Sequence, residues 1–478
     1  MARRTGAIAP LPITTFHAQA RGGHYPPPRA RPRQGTTPTG RIAMASAPQI
    51  EVPDPTALVR EDKVHRSVYT DPAIFALEME RIHGRAWLYL AHESEFKAAG
   101  DYVVRHLGTQ AVILTRDKQG AIHGIFNRCS HRGATLCAFD RGSAPHGHQC
   151  PYHGWTFNAD GSVRFVSHPR NYDGVLDPAD QAIQSVRIES YRGFLFGNLA
   201  ADAAPPLLDF MGHMKTSIDD LVDRSPTGKV ECGPYVLRHY YRANWKMTFE
   251  NLNDTIHPGF AHAASVVSAR NVASALPASE QPVATLGMML ANGKPIQFFQ
   301  DIDMVTAPGG HSYIGGHMGA SYTPDAQNGY VQAMTAFHGA ERTREILSID
   351  RHLMLLYPSS FWHARYQTVR ILRPVRHDLT EMIGFVFRLV GAPDETYANA
   401  VEYCTGANSA ASPVIADDLE IYERCLLGNG FGDQQWIPMS RGLKETREVT
   451  NAFTRSPATS EAFIRNQFAA WSSYMAQA

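Results

Sequence analysis

The chain of 478 residues predicts an α+β fold in two ordered parts. A small antiparallel β domain comes first, and a larger domain follows in which long helices lie against one face of an antiparallel sheet. Three observations predict this. Between Asp101 and Arg128 the sequence breaks into β-rich runs, DYVVRHL, QAVILTR and AIHGIFNR, punctuated at Gly108-Thr109 and Lys118-Gln119-Gly120. Tyr366–Arg373 and Met382–Val390, joined by a polar turn at His377–Thr380, read as an antiparallel pair. Ser412-Pro413 then puts a cap and a first-turn proline in the order that starts a helix.

Composition sets the outer limits. The length suits two or three domains, and 44% hydrophobic with 19% charged residues is ordinary for a globular protein. A net charge of +0 gives no reason to expect nucleic acid or an anionic membrane as a partner. Apolar runs such as Leu353–Tyr357 and Ile383–Phe387 are strand-length and too short to span a bilayer, so a soluble, cytoplasmic protein is expected. The six cysteines, at 129, 137, 150, 232, 404 and 425, have no framework spacing, which fits a reducing compartment and free thiols.

In chain order, residues 1–50 contain no Asp or Glu, seven Arg and Pro26-Pro27-Pro28, and are expected to be a disordered basic extension. They lack the amphipathic pattern of a transit peptide, and an over-extended translation start is the expected explanation. Residues 51–90 are a helical segment packing on the larger domain: Asp71 caps, Pro72 is the first helical residue, and Phe75, Met79 and Ile82 form the buried stripe. The small domain occupies about 91–200, with a hairpin over Trp155–Val166 turning at Asn158–Gly161, and a strand at Gly193–Leu199. The larger domain runs from 201 to 478. There Leu207–Arg224 is an amphipathic helix, Tyr235–Trp245 a strand, and APGGHSYIGGHMG, carrying His311 and His317, a mobile surface loop, with the lining of an entrance or pocket as the alternative.

The chemistry is concentrated in Asn127–Phe157, NRCSHRGATLCAFDRGSAPHGHQCPYHGWTF. Cys129 and His131 are two apart, Cys150 and His153 three apart, and each pair sits among small or turn-forming residues. Such a set suits a metal held between two loop tips. Tetrahedral zinc accepts two Cys and two His, but its usual spacing keeps like with like. One Cys and one His on each loop suits a two-iron cluster, Cys129 and Cys150 on one iron, His131 and His153 on the other, which is the Rieske form of [2Fe–2S]. Cys137, between the loops, reads either as a cluster neighbour or as a small buried hydrophobe.

A second metal pattern lies in ENLNDTIHPGFAH. Asp254 and His257, three apart, would share a helical face, and a break at Pro258-Gly259 would return His262 toward His257. Two imidazoles and a carboxylate are the facial triad of non-haem Fe(II) oxygenases. Along the helix after Pro413, Val414, Ile415, Leu419, Ile421, Tyr422, Cys425 and Leu426 form an apolar arc with Asp418 at its centre, while Asp417, Glu420 and Arg424 take the polar face. A carboxylate on a buried face needs a cation or metal, so Asp418 is the candidate third ligand, with pairing to a buried Arg or a capping donor as the alternative. Asn251, one turn before Asp254, is expected beside the iron.

With both motifs in this order, the chain from about Val52 onward resembles the large (α) subunit of Rieske non-haem iron aromatic-ring-hydroxylating oxygenases. The resemblance implies a helix-grip catalytic domain. It implies that Cys129, His131, Cys150 and His153 hold the cluster, and that His257, His262 and a distal Asp hold iron. Asp254 would then link the iron to the cluster histidine, His153, of a neighbouring subunit. It implies an α3 ring or, with a small β subunit, α3β3. The expected activity is hydroxylation of an aromatic ring with O2, as cis-dihydroxylation of an aromatic acid. No Gly-x-Gly-x-x-Gly follows a strand, and GNGFG at 428–432 follows a helix, so NAD(P)H acts only through a separate reductase, with or without a ferredoxin. Rival readings are a Rieske monooxygenase or O-demethylase without a β subunit, and a non-catalytic zinc-stabilised binding protein. Arg365, Arg370 and Arg373 are candidate carboxylate holders, with solvent exposure the plainer alternative.

Overall fold

The computed structural model describes residues 54–172, 174–277, 283–315 and 327–477. The basic extension over 1–50 and His317 lie outside them.

Helix α1 (Pro72–Arg81) starts as its sequence dictates, with Asp71 accepting the Ala73 N–H at 2.7 Å. Its buried face differs from the expected one. Ile74, Glu78 and Ile82 point inward, while Phe75 and Met79 are half-buried. The cause is Glu78, whose carboxylate accepts from Lys246 Nζ at 2.5 Å, Trp471 Nε1 at 2.7 Å and Trp245 Nε1 at 2.9 Å. A hydrophobicity pattern assumes that charges face water, and here a buried ion pair shifts the phase.

The small domain is built from β1 (Leu88–His92), β2 (Asp101–Leu107), β3 (Gln110–Arg116), β4 (Ile122–Phe126), β5 (Arg141–Ser143), β6 (His148–Gln149), β7 (Thr156–Phe157), β8 (Val163–Phe165), β9 (Ser185–Tyr191) and β10 (Phe194–Asn198). Seven strands form one antiparallel sheet in the order β1-β10-β9-β4-β3-β2-β5, and β8-β7-β6 form a second. The three runs that announced the domain are β2, β3 and β4. The β7–β8 turn falls at Asn158–Gly161 as expected. There Gly161 has φ +87°, and a Cβ would lie 2.5 Å from the Ile183 carbonyl oxygen, so only glycine closes this turn against its neighbour.

The larger domain contains α2 (Lys215–Asp223), β11 (Val230–Tyr241), α3 (Lys246–Leu252), α4 (Pro258–Ala261), α5 (Ala263–Ala275), β12 (Asp303–Ala307), β13 (His311–Gly315), β14 (Arg351–Leu356), β15 (Ser360–His363), β16 (Thr368–Arg376), β17 (Leu379–Leu389), α6 (Asp394–Asn408), α7 (Ile415–Asn429), β18 (Glu448–Val449), β19 (Thr454–Pro457) and α8 (Ala462–Met475). Nine strands form one antiparallel sheet in the order β11-β17-β16-β15-β14-β13-β12-β19-β18. The helix expected over Leu207–Arg224 is interrupted at Gly212, where φ is +48°, and only its second half is α2. The strand expected over Tyr235–Trp245 is shifted to β11, because Asn244 Oδ1 accepts the Lys246 N–H and turns the chain into α3. The glycine-rich stretch is no surface loop through Gly315: it is the β12–β13 hairpin, and His311 is buried, accepting from the Tyr357 N–H and bonding the Phe210 carbonyl.

The two faces of the large sheet have different duties. One carries Trp362 (β15), Phe385 and Phe387 (β17), packed on Tyr89 and Phe194 of the small domain with ring centroids 4.9–6.4 Å apart. These rings are fully buried, and each contributes on the order of 2–3 kcal/mol through removal from water. The opposite face follows from alternation: Leu237, Gly384, Arg370 and Phe361 lie in one cross-strand row. Phe361 meets Phe249 of α3 at 4.5 Å, which places this row under the helices. The helices therefore enclose the second metal pattern on one side of the sheet, while the small domain sits on the other.

Candidate metal centres

At the tips of the small domain, the loop after β4 brings Cys129 and His131 against Cys150 and His153 from the β6–β7 connection. Both cysteines are buried, and the two imidazole rings lie 4.7 Å apart. Nδ1 of His131 and Nδ1 of His153 are buried without a hydrogen-bond partner. Burial pushes the Cys129 thiol up, opposed by backbone N–H groups of His131 and Arg132 aimed at its sulfur. Orphaned imidazole nitrogens and sulfurs receiving backbone N–H bonds are what a cluster requires of its cradle. Among the described residues, no three of these donors lie within 4.8 Å of one another, so the set is too open for one tetrahedral zinc. Trp155 stacks on His131 at 4.8 Å and Tyr152 on His153 at 3.7 Å, fixing both rings. Cys137 is buried beside the cradle, with Sγ 3.4 Å from His148 Nδ1.

The second site lies under the helices of the larger domain. Donor atoms of His257, His262 and Asp418 all fall within 4.8 Å of one another. Asp418 Oδ1 is 3.5 Å from His257 Nε2 and 3.4 Å from His262 Nε2. Asp418 and His262 are each about 2% exposed. Of the alternative partners for Asp418, no Arg among the described residues lies within ion-pair distance of it, while a side-chain donor is present. Asn251 Nδ2 donates to Asp418 Oδ1 at 3.0 Å, so the residue expected near the site does position the carboxylate. The burial of Asp418 in the apolar arc of α7 follows the helical pattern that singled it out.

The local frame around the histidines differs from the sequence expectation. Asp254 and His257 do not share a helix: α3 ends at Leu252, and Asp254 Oδ1 accepts the N–H groups of Ile256 and His257 to make a tight turn. Pro258 breaks nothing, being the first residue of α4, and His262 joins α4 to α5. Asp254 does not reach the free ring nitrogen of His257, which is buried without a partner. Its other oxygen pairs with Arg441 Nη2 at 2.8 Å, a residue that no motif marked. Asp417 was expected on the polar face, yet its Oδ2 stands 3.3 Å from His262 Nδ1, able to orient that ring.

A further cluster, Asp350, His352 and His363, also brings donor atoms within 4.8 Å. Burial pushes the His363 imidazole well below its ordinary range, helped by Arg370, Arg365 and Arg224, and so many guanidinium charges make this a poor place for a dication. Beside it opens a cavity of about 350 Å³ lined by Asp350, Arg365, Tyr366 and Ala400. None of its lining residues is a donor of the His257–His262–Asp418 set.

Comparison with known proteins defines the class. Residues 86–186 match the Rieske [2Fe-2S] domain, and residues 229–430 match the catalytic domain of the ring hydroxylating alpha subunit. The chain is 30% identical to the anthranilate 1,2-dioxygenase large subunit of Acinetobacter baylyi, over 80% of this chain and 81% of that one. It is 31% identical to the toluate 1,2-dioxygenase subunit alpha of Pseudomonas putida, over 81% and 84%. Naphthalene 1,2-dioxygenase from Rhodococcus sp., solved with bound indole, shares the fold at a TM-score of 0.71 and 24% identity, covering 86% of this chain and 94% of that one. The chain belongs to the alpha-subunit family of Rieske ring-hydroxylating oxygenases. It is an oxidoreductase, a terminal oxygenase component with a Rieske [2Fe–2S] cluster and a mononuclear iron. Among the described residues, no helix is long and apolar enough to cross a membrane.

Proposed function

We propose that this protein cis-dihydroxylates an aromatic acid, with Cys129, Cys150, His131 and His153 holding the cluster and His257, His262 and Asp418 holding the iron. The observation that carries the reading is the presence of two metal-donor sets of different chemistry on one chain, the two-Cys, two-His cradle and the His257–His262–Asp418 set, together with relatives whose names specify anthranilate and toluate, both aromatic carboxylates. When bound, the cluster passes single electrons and the iron offers open positions for O2 beside the ring. The chain's own residues supply the geometry. Asn251 and Asp417 hold Asp418 and His262 in place, and Asp254 shapes the turn that presents His257.

The two sets lie on opposite sides of the large sheet, which favours electron delivery between subunits over delivery within one. Phe139 and Tyr152, 76% and 65% exposed beside the cluster loops, suit contact with a neighbouring chain. This supports an α3 or α3β3 assembly in which Asp254, partly exposed beside His257, receives the neighbour's cluster histidine. A cytoplasmic location and a separate reductase, with or without a ferredoxin, complete the reading. The test is product analysis with a surrogate reductase on benzoates, salicylates and unsubstituted polycyclic aromatics. A cis-diol from an aromatic acid supports the proposal. Single hydroxylation, demethylation, or turnover of neutral hydrocarbons alone overturns it.

A further inference from the structure

Of the three arginines that are candidates for meeting a substrate carboxylate, the structure separates one. Arg373 pairs with Glu381 and also donates to Tyr240 Oη, and Arg365 lies 3.6 Å from Asp350. Arg370 is 3% exposed, and no acceptor among the described residues lies within hydrogen-bond distance of its guanidinium. Its charge is enclosed with no carboxylate among those residues paired to it, and its guanidinium stands 5.7 Å over the Phe361 ring, so an anion reaching this face would meet an unpaired cation. Burial pulls its pKa below the ordinary arginine range without reaching neutrality, and Asp418 is among the charges near enough to act on it.

Its position in the fold explains where the side chain leads. Arg370 is in the row of β16 that faces the helices, beside Gly384 of β17; a Cβ at 384 would sit 3.6 Å from Arg370 Cγ and 3.8 Å from Cys404 Sγ. The Arg370 stem thus packs directly over Gly384, next to Cys404. His239, on the same sheet face two residues beyond Leu237 and close enough to be influenced by Arg370, is held neutral by burial, with both ring nitrogens lacking partners. A charged fork with no carboxylate partner and a neutral imidazole without partners thus share the iron side of the sheet, the pairing of groups that an anion would engage. An iron(II) held by one carboxylate adds positive charge nearby, not the missing negative one.

We propose that Arg370 is the specificity-determining residue of this enzyme, binding the carboxylate of an aromatic acid through its guanidinium fork, with the His239 N–H as a second donor. This rests on the aromatic-acid reading above. The carboxylate end would be fixed at β16, so that the ring lies between it and the donor set on α4 and α7.

The test uses the full holoenzyme under anaerobic conditions, with calorimetric titration of benzoate and of uncharged benzamide. Wild type should bind benzoate. Arg370→Gln, with wild-type iron and cluster content, should bind it on the order of 100-fold more weakly. Benzamide affinity should stay within about threefold, and turnover should show the loss chiefly in KM. Arg370→Lys, keeping the charge without the fork, should fall between, about tenfold weaker. Benzoate binding within threefold of wild type in Arg370→Gln, or in Arg370→Lys if the glutamine variant loses its metals, overturns the proposal. A wild type that binds none of benzoate, anthranilate, toluate or salicylate overturns the aromatic-acid reading itself, which the Arg370 variants leave untouched.

Discussion

The cluster cradle and the iron site are both metal centres built from histidine and an anionic donor, yet they are assembled in opposite ways. The cradle takes all four donors from two neighbouring loop tips of the small domain, one from each of its two sheets, and its outer edge, at Tyr152 and Phe139, faces out. The iron site takes its histidines from the turns around α4 and its carboxylate from α7, with the Asn251–Asp418 bond spanning 167 residues of sequence. Loops can present ligands to a partner with little help from a core, whereas a carboxylate like Asp418 stays buried only because folded helices surround it. The cradle should therefore fail locally, and the iron site should depend on the tertiary frame.

The largest expected effect comes from the cradle itself. Cys129→Ala or His153→Ala should abolish the visible Rieske spectrum completely while the thermal unfolding of the remainder shifts little, as read by absorbance and calorimetry. Loss of the whole fold in these variants would deny the cradle its local character.

Asp254→Asn should come next. Asparagine keeps the oxygen that receives the Ile256 and His257 N–H groups but gives up the charge opposite Arg441. Iron and cluster should be retained, with single-turnover electron transfer slowed by about 10–100-fold. An unchanged rate in stopped-flow traces would remove Asp254 from the path between centres.

The frame around the iron site is tested by Glu78→Ala, which would leave Lys246 buried and unpaired at the start of α3. A loss of about 3–5 kcal/mol is expected in denaturant titration. Glu250, on the same helix, is pushed up to about 7 by burial. Its native form holds a proton that the unfolded chain, with an ordinary value near 4.5, releases; the resulting stability is complete below about 4.5 and is lost as pH rises through 7. Glu250→Gln keeps the oxygen that accepts from Tyr69 Oη. Its stability relative to wild type should grow by up to about 3 kcal/mol between pH 4.5 and pH 8. A constant difference across that range would mean that Glu250 titrates normally.

What could be read from sequence follows the same contrast. Cys129, His131, Cys150 and His153 were legible because loop ligands keep their spacing whatever the core does. Asp418 was legible because a lone carboxylate interrupts a helical apolar arc. The frame was not: the phase of α1 was missed because Glu78 is buried by a partner 168 residues away, and the Asp254 turn because a short polar side chain can cap a turn as readily as it can sit in a helix. Arg441 and the inward reach of Asp417 gave no signal, and nothing in the sequence set Arg370 apart from Arg365 and Arg373, since a charged residue in a strand or loop reads as solvated until its surroundings are known.

The central claim is that the two donor sets are separate and each is complete, and stoichiometry tests it most directly. Iron and acid-labile sulfide should be measured per chain in wild type, His153→Ala and Asp418→Ala. The account predicts about three iron and two sulfide in wild type, about one iron and no sulfide in His153→Ala, and about two iron and two sulfide with a normal cluster spectrum in Asp418→Ala. Retention of the third iron in Asp418→Ala, with its loss in Asp254→Asn, would contradict it.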